Sequence, residues 1–161
     1  TNMYLAYETL SDGMKALLDG LEAENESGNP QKYSNKYQSM EELGKKGAMG
    51  AIHPMVRVHP KTGRKALFST LAFTKRIKGM TDSESAPILN YLYEHSIQAH
   101  LGCRLEWKKG SLALWDNRVC LHHAVAAYFG EVAKHRRVMQ RATIEGEEPI
   151  SIKSYNELNS N

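Results

Sequence analysis

From Ile52 onward the chain is written as short runs of β-branched and aromatic residues closed by turns, and no other feature restricts its fold as much. Met55-Val56-Arg57-Val58-His59 reads as a strand, and Pro60-Lys61-Thr62-Gly63 as the turn that ends it. Ala66-Leu67-Phe68 predicts a second strand and Phe73–Ile77 a shorter third. Cys103–Trp107, Leu112–Trp115, Val119–Ala124 and Arg136–Ile144 predict four more, with a turn at Lys109-Gly110. Short strands separated by turns, with one helix inserted, argue for a β-sandwich or jelly-roll half decorated by helices. Without the rest of its sheet, such a half has exposed edges.

The helices follow from periodicity and capping. Met3, Leu5, Ala6, Leu10, Met14, Leu17, Leu18 and Leu21 recur at spacings of three and four, which makes residues 2 to 24 helical. Ser11 before Asp12 is an N-cap that divides the segment in two. Thr81-Asp82-Ser83-Glu84 is a capping box for a helix with Ile88, Leu89, Leu92 and Ile97 on one side. Pro87 fits that helix only near its first turn, so the start is expected a residue or two further on. Residues 25–52, rich in Asn, Glu, Ser, Gly and Lys, predict a loop or lid with a short helix near 40–46. Residues 147–161 predict a loose polar tail in which Glu147-Glu148 is solvated.

Composition narrows the function classes. The 161 residues suffice for one domain with a core. A net charge of +3, with no long Lys/Arg run, argues against nucleic acid. No apolar run reaches the roughly 18 residues that span a bilayer. Two cysteines, Cys103 and Cys120, make a disulfide framework improbable and a reducing cytoplasm the expected compartment. There is no Gly-x-Ser-x-Gly elbow, no His-Glu-x-x-His, no Cys-x-x-Cys pair and no phosphate-cradling glycine loop.

The chemistry concentrates between Trp115 and Arg141. On a strand, His122 and His123 point to opposite faces, so at most one enters a given pocket. His122 shares its face with the small residues Cys120 and Ala124. The residues alone leave it open whether His122 is a hydrogen-bonded core histidine or a metal ligand, and a metal would need at least two further ligands. Arg137 and Arg141 are four apart and share a face with His135 and Met139, about 13 Å from one another at roughly 3.3 Å per residue. An interior face would oblige both guanidinium groups to meet anions, whereas an edge strand would leave them solvated. His53, His59, His95 and His100 occupy loop, strand-end or helix-end settings where a structural role suffices.

Three words resolve that choice by resemblance. His53 to Phe68 (His-Pro-Met-Val-Arg-Val-His-Pro-Lys-Thr-Gly-Arg-Lys-Ala-Leu-Phe), Trp115-Asp116-Asn117-Arg118-Val119 with His122 after it, and Arg136 to Ile144 stand in the order and approximate spacing of the taurine dioxygenase family. The chain resembles the C-terminal portion of these 2-oxoglutarate-dependent, non-haem iron(II) dioxygenases. The resemblance implies a mainly β double-stranded β-helix, or jelly roll, with flanking helices, of which residues 1–161 form an incomplete portion lacking the N-terminal strands. It implies that His122 is the distal histidine of a two-His-one-carboxylate iron site. Arg137 would bind the far carboxylate of 2-oxoglutarate, Arg141 the acidic group of the substrate, and Phe73 would line the substrate pocket, with Trp115 packed near the iron. No side chain of this chain is assigned acid–base catalysis.

The implied reaction consumes O2 and 2-oxoglutarate, yields succinate and CO2, and hydroxylates a small anionic substrate, expected to be a sulfonate such as taurine. An alkyl sulfate or aryloxyalkanoate substrate, or a catalytically silent jelly-roll binding module, are the alternatives. A homo-oligomer without nucleic-acid or membrane partners is expected. Two departures from the family pattern stand out. No histidine here has Asp or Glu two residues on, so the family's His-x-Asp, and a threonine assisting 2-oxoglutarate, are expected before Thr1. The chain by itself should then be inactive. The connection from His122 to Arg137 is also a few residues longer, through Tyr128–Lys134, which bears on the substrate more than on the cosubstrate.

Overall fold

The structure, a computed structural model, describes residues 1–27, 49–123 and 138–160. Its elements are α1 (Met3–Glu8), α2 (Asp12–Leu18), β1 (Glu22–Ser27), β2 (Met49–Pro54), β3 (Val56–Val58), β4 (Lys65–Leu67), β5 (Thr74–Ile77), α3 (Asp82–Ser96), a 3₁₀ turn (Ala99–Leu101), β6 (Ile150–Ser151) and α4 (Ile152–Leu158). The strands form two antiparallel three-stranded sheets, ordered β2-β1-β5 and β4-β3-β6.

The break at Ser11 is present, and its hydroxyl accepts the Met14 N–H at 3.3 Å. The capping box is complete: the Thr81 hydroxyl accepts the Glu84 N–H at 3.3 Å, and the Glu84 carboxylate accepts the Thr81 N–H at 2.8 Å. Those bonds hold the Glu84 carboxyl below its ordinary range. The helix starts at Asp82 in spite of Pro87, which lies in its second turn with Ser83, four residues earlier, exposed to solvent. Leu92 is fully buried, but Ile97 caps the helix and is exposed.

The core is one cluster joining Met3, Tyr4, Ala6, Tyr7 and Leu10 of the first segment to Met55 and Val56, Ala66 and Leu67, Ile77, Leu92 and Val119. Helix α1 therefore lies on the sheet that contains β3, and α3 on β5. Turn Pro60–Gly63 closes the β3–β4 hairpin with Gly63 at φ 68°, a conformation glycine adopts without strain.

Several expectations fail. The 2–24 helix ends at Leu18, and the 25–52 loop is entered by strands β1 and β2. Strand β1, Glu-Ala-Glu-Asn-Glu-Ser, has no apolar alternation, and Ala23 is its one apolar side chain, fully buried. Its outer face is stabilised across the sheet instead, by Glu22 with Lys78 at 2.6 Å, Glu24 with Arg76 at 2.8 Å and Glu26 with Lys75 at 3.9 Å.

Of the four later strands, 103–107, 112–115 and the described parts of 119–124 and 136–144 are irregular. A strand exists only through its partners, and Leu112 and Leu114, 96% and 94% exposed, have no neighbouring strand among the described residues. Cys120 alone makes a bridge, antiparallel to Asn2. The tail is ordered from β6 into α4, not loose. The expected helix at 40–46 lies outside the described residues.

Candidate functional site

His122 stands at the end of a segment pinned to the start of the chain. The Met3 N–H donates to the Val119 carbonyl at 2.9 Å, the Leu121 N–H to the Thr1 carbonyl at 3.1 Å, and the Thr1 amino group to the Leu121 carbonyl at 2.7 Å. Val119 is buried, and Cys120 and Leu121 pack against the core. His122 and His123 are both exposed. Among the described residues only His122 of the two has an aromatic neighbour: its ring lies 5.1 Å from that of Trp115, inclined at 58°. Its nitrogens have no hydrogen-bond partner among the described residues.

Trp115 belongs to a turn in which every side chain is engaged. The indole N–H donates to Asn117 Oδ1 at 2.8 Å. Asp116 Oδ1 accepts the backbone N–H and Nε–H of Arg118, both at 2.9 Å, and Asp116 Oδ2 accepts Nη2–H at 2.7 Å. These bonds from Arg118 hold the Asp116 carboxyl well below the usual carboxylate range and raise the guanidinium of Arg118 in return.

The turn is fastened to β3 through His59. The Nδ1 of His59 accepts the N–H groups of Lys61 and Thr62, each at 3.2 Å. A nitrogen that accepts is unprotonated, so the proton sits on Nε2, which faces Asp116 Oδ2 at 3.2 Å and donates to it.

A second tie runs through Glu147. Arg57 is 3% exposed in the middle of β3. Its Nη2 donates to Glu147 Oε1 at 3.3 Å, and Arg118 Nη1 donates to the same oxygen at 3.2 Å. Arg57 also stands over the Phe68 ring at 5.1 Å, while its Nε–H finds no partner among the described residues. Burial lowers the Arg57 pKa against the opposing pull of Glu147. Glu147 is held below its ordinary value by its own backbone N–H and then by Arg118. Glu147 is exposed, as its sequence setting suggests, but it is also the meeting point of two guanidinium groups.

Of the candidate residues drawn from sequence, the structure brings His122 and Trp115 together. Phe73 lies exposed at the entry to β5, where its carbonyl accepts the Glu26 N–H at 2.8 Å. Arg141 is exposed in irregular chain, and Arg137 lies outside the described residues. Among the described residues no group of three or more His, Cys, Asp or Glu side chains could hold a metal ion. Sequence reasoning misses Arg57, Asp116 and Glu147 as a group. The available signal is the Val-Arg-Val strand, since an arginine flanked by buried valines requires an anion.

The family model described as "Taurine catabolism dioxygenase TauD, TfdA family" matches residues 1–143. A Schizosaccharomyces pombe protein, provisionally named an alpha-ketoglutarate-dependent sulfonate dioxygenase, is 35% identical over 148 residues, covering 91% of this chain and 36% of its own. The alpha-ketoglutarate-dependent sulfate ester dioxygenase of Pseudomonas putida is 37% identical over 100 residues, covering 62% of this chain and 32% of its own. Among solved structures, a taurine dioxygenase from Burkholderia xenovorans superimposes with a TM-score of 0.61 at 36% identity, covering 74% of this chain and 36% of that one. The chain thus spans about a third of the length of these relatives.

Proposed function

We propose, from the premise that this chain belongs to the taurine catabolism dioxygenase TauD, TfdA family, that it is the C-terminal portion of a jelly-roll enzyme that uses iron(II), 2-oxoglutarate and O2 to hydroxylate a small anionic substrate. The observation that carries the reading is His122: an exposed imidazole with both nitrogens unengaged among the described residues, packed against Trp115 at the end of a segment fixed at several points. A neutral imidazole suits iron(II) as one ligand of a facial triad. The remaining two would come from a His-x-Asp in the rest of the protein.

Iron(II) held at His122 and the two further ligands would activate O2, the oxidant, with 2-oxoglutarate as the co-reductant that would be converted to succinate and CO2. The side chains of this chain bind and orient. Trp115 limits the rotation of the His122 ring and covers one side of it. Arg137 anchors the far carboxylate of 2-oxoglutarate by a charge-assisted fork. Arg141 takes the anionic head of the substrate, and Phe73 lines its apolar part. Relatives named for sulfonates, sulfate esters and taurine share a sulfur oxyanion, which favours a sulfonate here. Hydroxylation beside sulfur would then release an aldehyde and sulfite. Two free thiols, one exposed and one half-buried, suit a reducing cytoplasm, and we place the enzyme there as a homo-oligomer.

The test is anaerobic titration of the whole protein with iron(II) and 2-oxoglutarate. A visible absorbance band from the iron–oxoacid chelate, followed by succinate formation when air and taurine are admitted, is expected. No band and no succinate with any of a panel of sulfonates, alkyl sulfates and aryloxyalkanoates would refute the enzyme and leave a binding module.

A further inference from the structure

The fold contains a chain of charged side chains that the binding roles above do not use. It runs from buried Arg57 on β3 to Glu147, from Glu147 to Arg118, from Arg118 to Asp116, and from Asp116 back to His59 at the end of β3. The loop closes on itself, so the turn 115–118 is held to β3 at two points, His59 and Glu147. His59 cannot release Asp116 by changing tautomer without losing the Lys61 and Thr62 N–H groups at Nδ1. Arg57 is 3% exposed, and a buried guanidinium that loses its anion is costly.

The consequence lies at the other end of the turn. Trp115, next to Asp116, is oriented by Asn117 and presses on His122 at 5.1 Å. No hydrogen bond among the described residues orients the His122 ring, so that ring contact, with the pinned backbone of 119–121, is what fixes it. We infer that Glu147, through Arg118 and Asp116, is a positioning residue that holds Trp115 against His122 and so sets the orientation of the imidazole offered to the metal. Glu147 touches neither His122 nor Trp115, and it reaches them from 25 residues beyond His122 in sequence. It lies six residues beyond Arg141, so the same contact fastens the irregular segment that carries Arg141 to the His122 arm. In functional terms the inference rests on His122 being an iron ligand, as proposed above.

The experiment uses the whole protein carrying Glu147→Gln, with Glu147→Asp as the conservative variant. The first readout needs no metal. Hydrogen exchange in peptides covering 116–121 should speed up in Glu147→Gln, because the Arg118, Val119 and Leu121 N–H groups are bonded within or beside this turn. The second readout is iron(II) affinity, followed by the chelate band at saturating 2-oxoglutarate. Loss of a partner that orients a ligand typically weakens metal binding about tenfold or more. Glu147→Gln should show that loss with a shifted band, and Glu147→Asp should recover most of it. Unchanged iron affinity and band position alongside a lowered Tm would reduce Glu147 to a structural residue and overturn the inference. Exchange that rises only within 138–149 would do the same. If the unaltered protein gives no chelate band, the dioxygenase reading has failed on its own. The positioning of Trp115 and His122 by Glu147 is then upheld by faster exchange at 116–121 and overturned by its absence.

Discussion

Replacing Asp116 by Asn removes a charge while nearly preserving shape, and the structure indicates what that costs. Asp116 accepts from Arg118 N, Nε and Nη2 and from His59 Nε2. The amide keeps one acceptor oxygen. If that oxygen stays on Arg118, the new NH₂ group faces the Nε2–H of His59, donor against donor. His59 is buried and cannot turn into an acceptor without giving up two backbone N–H groups. A hydrogen bond to a charged group contributes roughly 1.5–3 kcal/mol. The Asp116 side chain is 35% exposed, and solvent screening reduces its ion pair to about half of that. Adding about 1 kcal/mol for the stranded His59 donor gives a total near 2 kcal/mol at neutral pH, or about 5 °C in Tm for a protein of this size class. The pH dependence is more diagnostic than the size. The folded-state pKa of Asp116 is depressed, so its contribution is fully present above the unfolded value, near 4, and is lost as pH falls through the folded value. Urea unfolding from pH 7 to pH 2.5 should therefore show a constant gap between Asp116→Asn and the unaltered protein down to about pH 4 and a narrowing gap below it. A gap that is the same at every pH, or that widens on acidification, would refute the assignment of that stability to the Asp116 carboxylate.

Three further outcomes follow from the same geometry. Replacing His122 with Ala should abolish the iron–oxoacid band, while replacing His123 should leave iron affinity within about threefold; equal losses would show that the Trp115 contact does not mark the ligand. Gly63→Ala places a Cβ in a residue at φ 68° and within 2.8 Å of the Tyr155 hydroxyl, so urea unfolding should show a loss above about 1 kcal/mol, and unchanged stability would refute the strain. Thr81→Ala removes the hydroxyl that accepts the Glu84 N–H, while the backbone N–H at 81 can still donate to the Glu84 carboxylate; it should cost about 1 kcal/mol, read as a lowered urea midpoint at constant slope.

The parts legible in sequence are those settled within a few residues. The Ser11 and Thr81 caps, the Pro60–Gly63 turn and strand β3 all follow from neighbours no more than a few positions away. Strand β1 is not legible in this way, because its stability comes from lysines and arginines about fifty residues distant on β5 and just after it. Glu147 is obscure for a similar reason: it meets Arg57 across 90 residues and Arg118 across 29, and nothing in the local Glu-Glu pair announces either. The segments 103–107 and 112–115 carry a strand's composition, but composition supplies no hydrogen-bonding partner, and their exposed leucines mark where one would lie.

The two histidines separate legibility by rule from legibility by contact. Strand alternation argues that His122 and His123 point apart and that the small-residue face is interior. The structure leaves both rings exposed and packs Cys120 and Leu121, one from each face, against the core. Alternation therefore does not choose between them here. What distinguishes His122 is the Trp-Asp-Asn-Arg word before it, in which each side chain has its own partner. Trp115 meets the His122 ring, Asp116 holds His59 and Arg118, Asn117 holds the Trp115 indole, and Arg118 reaches Glu147. Exchanging any two of these four would break at least two of those contacts. The word thus specifies the geometry beside His122 even where the surrounding chain is irregular, and that explains why a four-residue motif locates the candidate ligand better than the predicted strand that carries it.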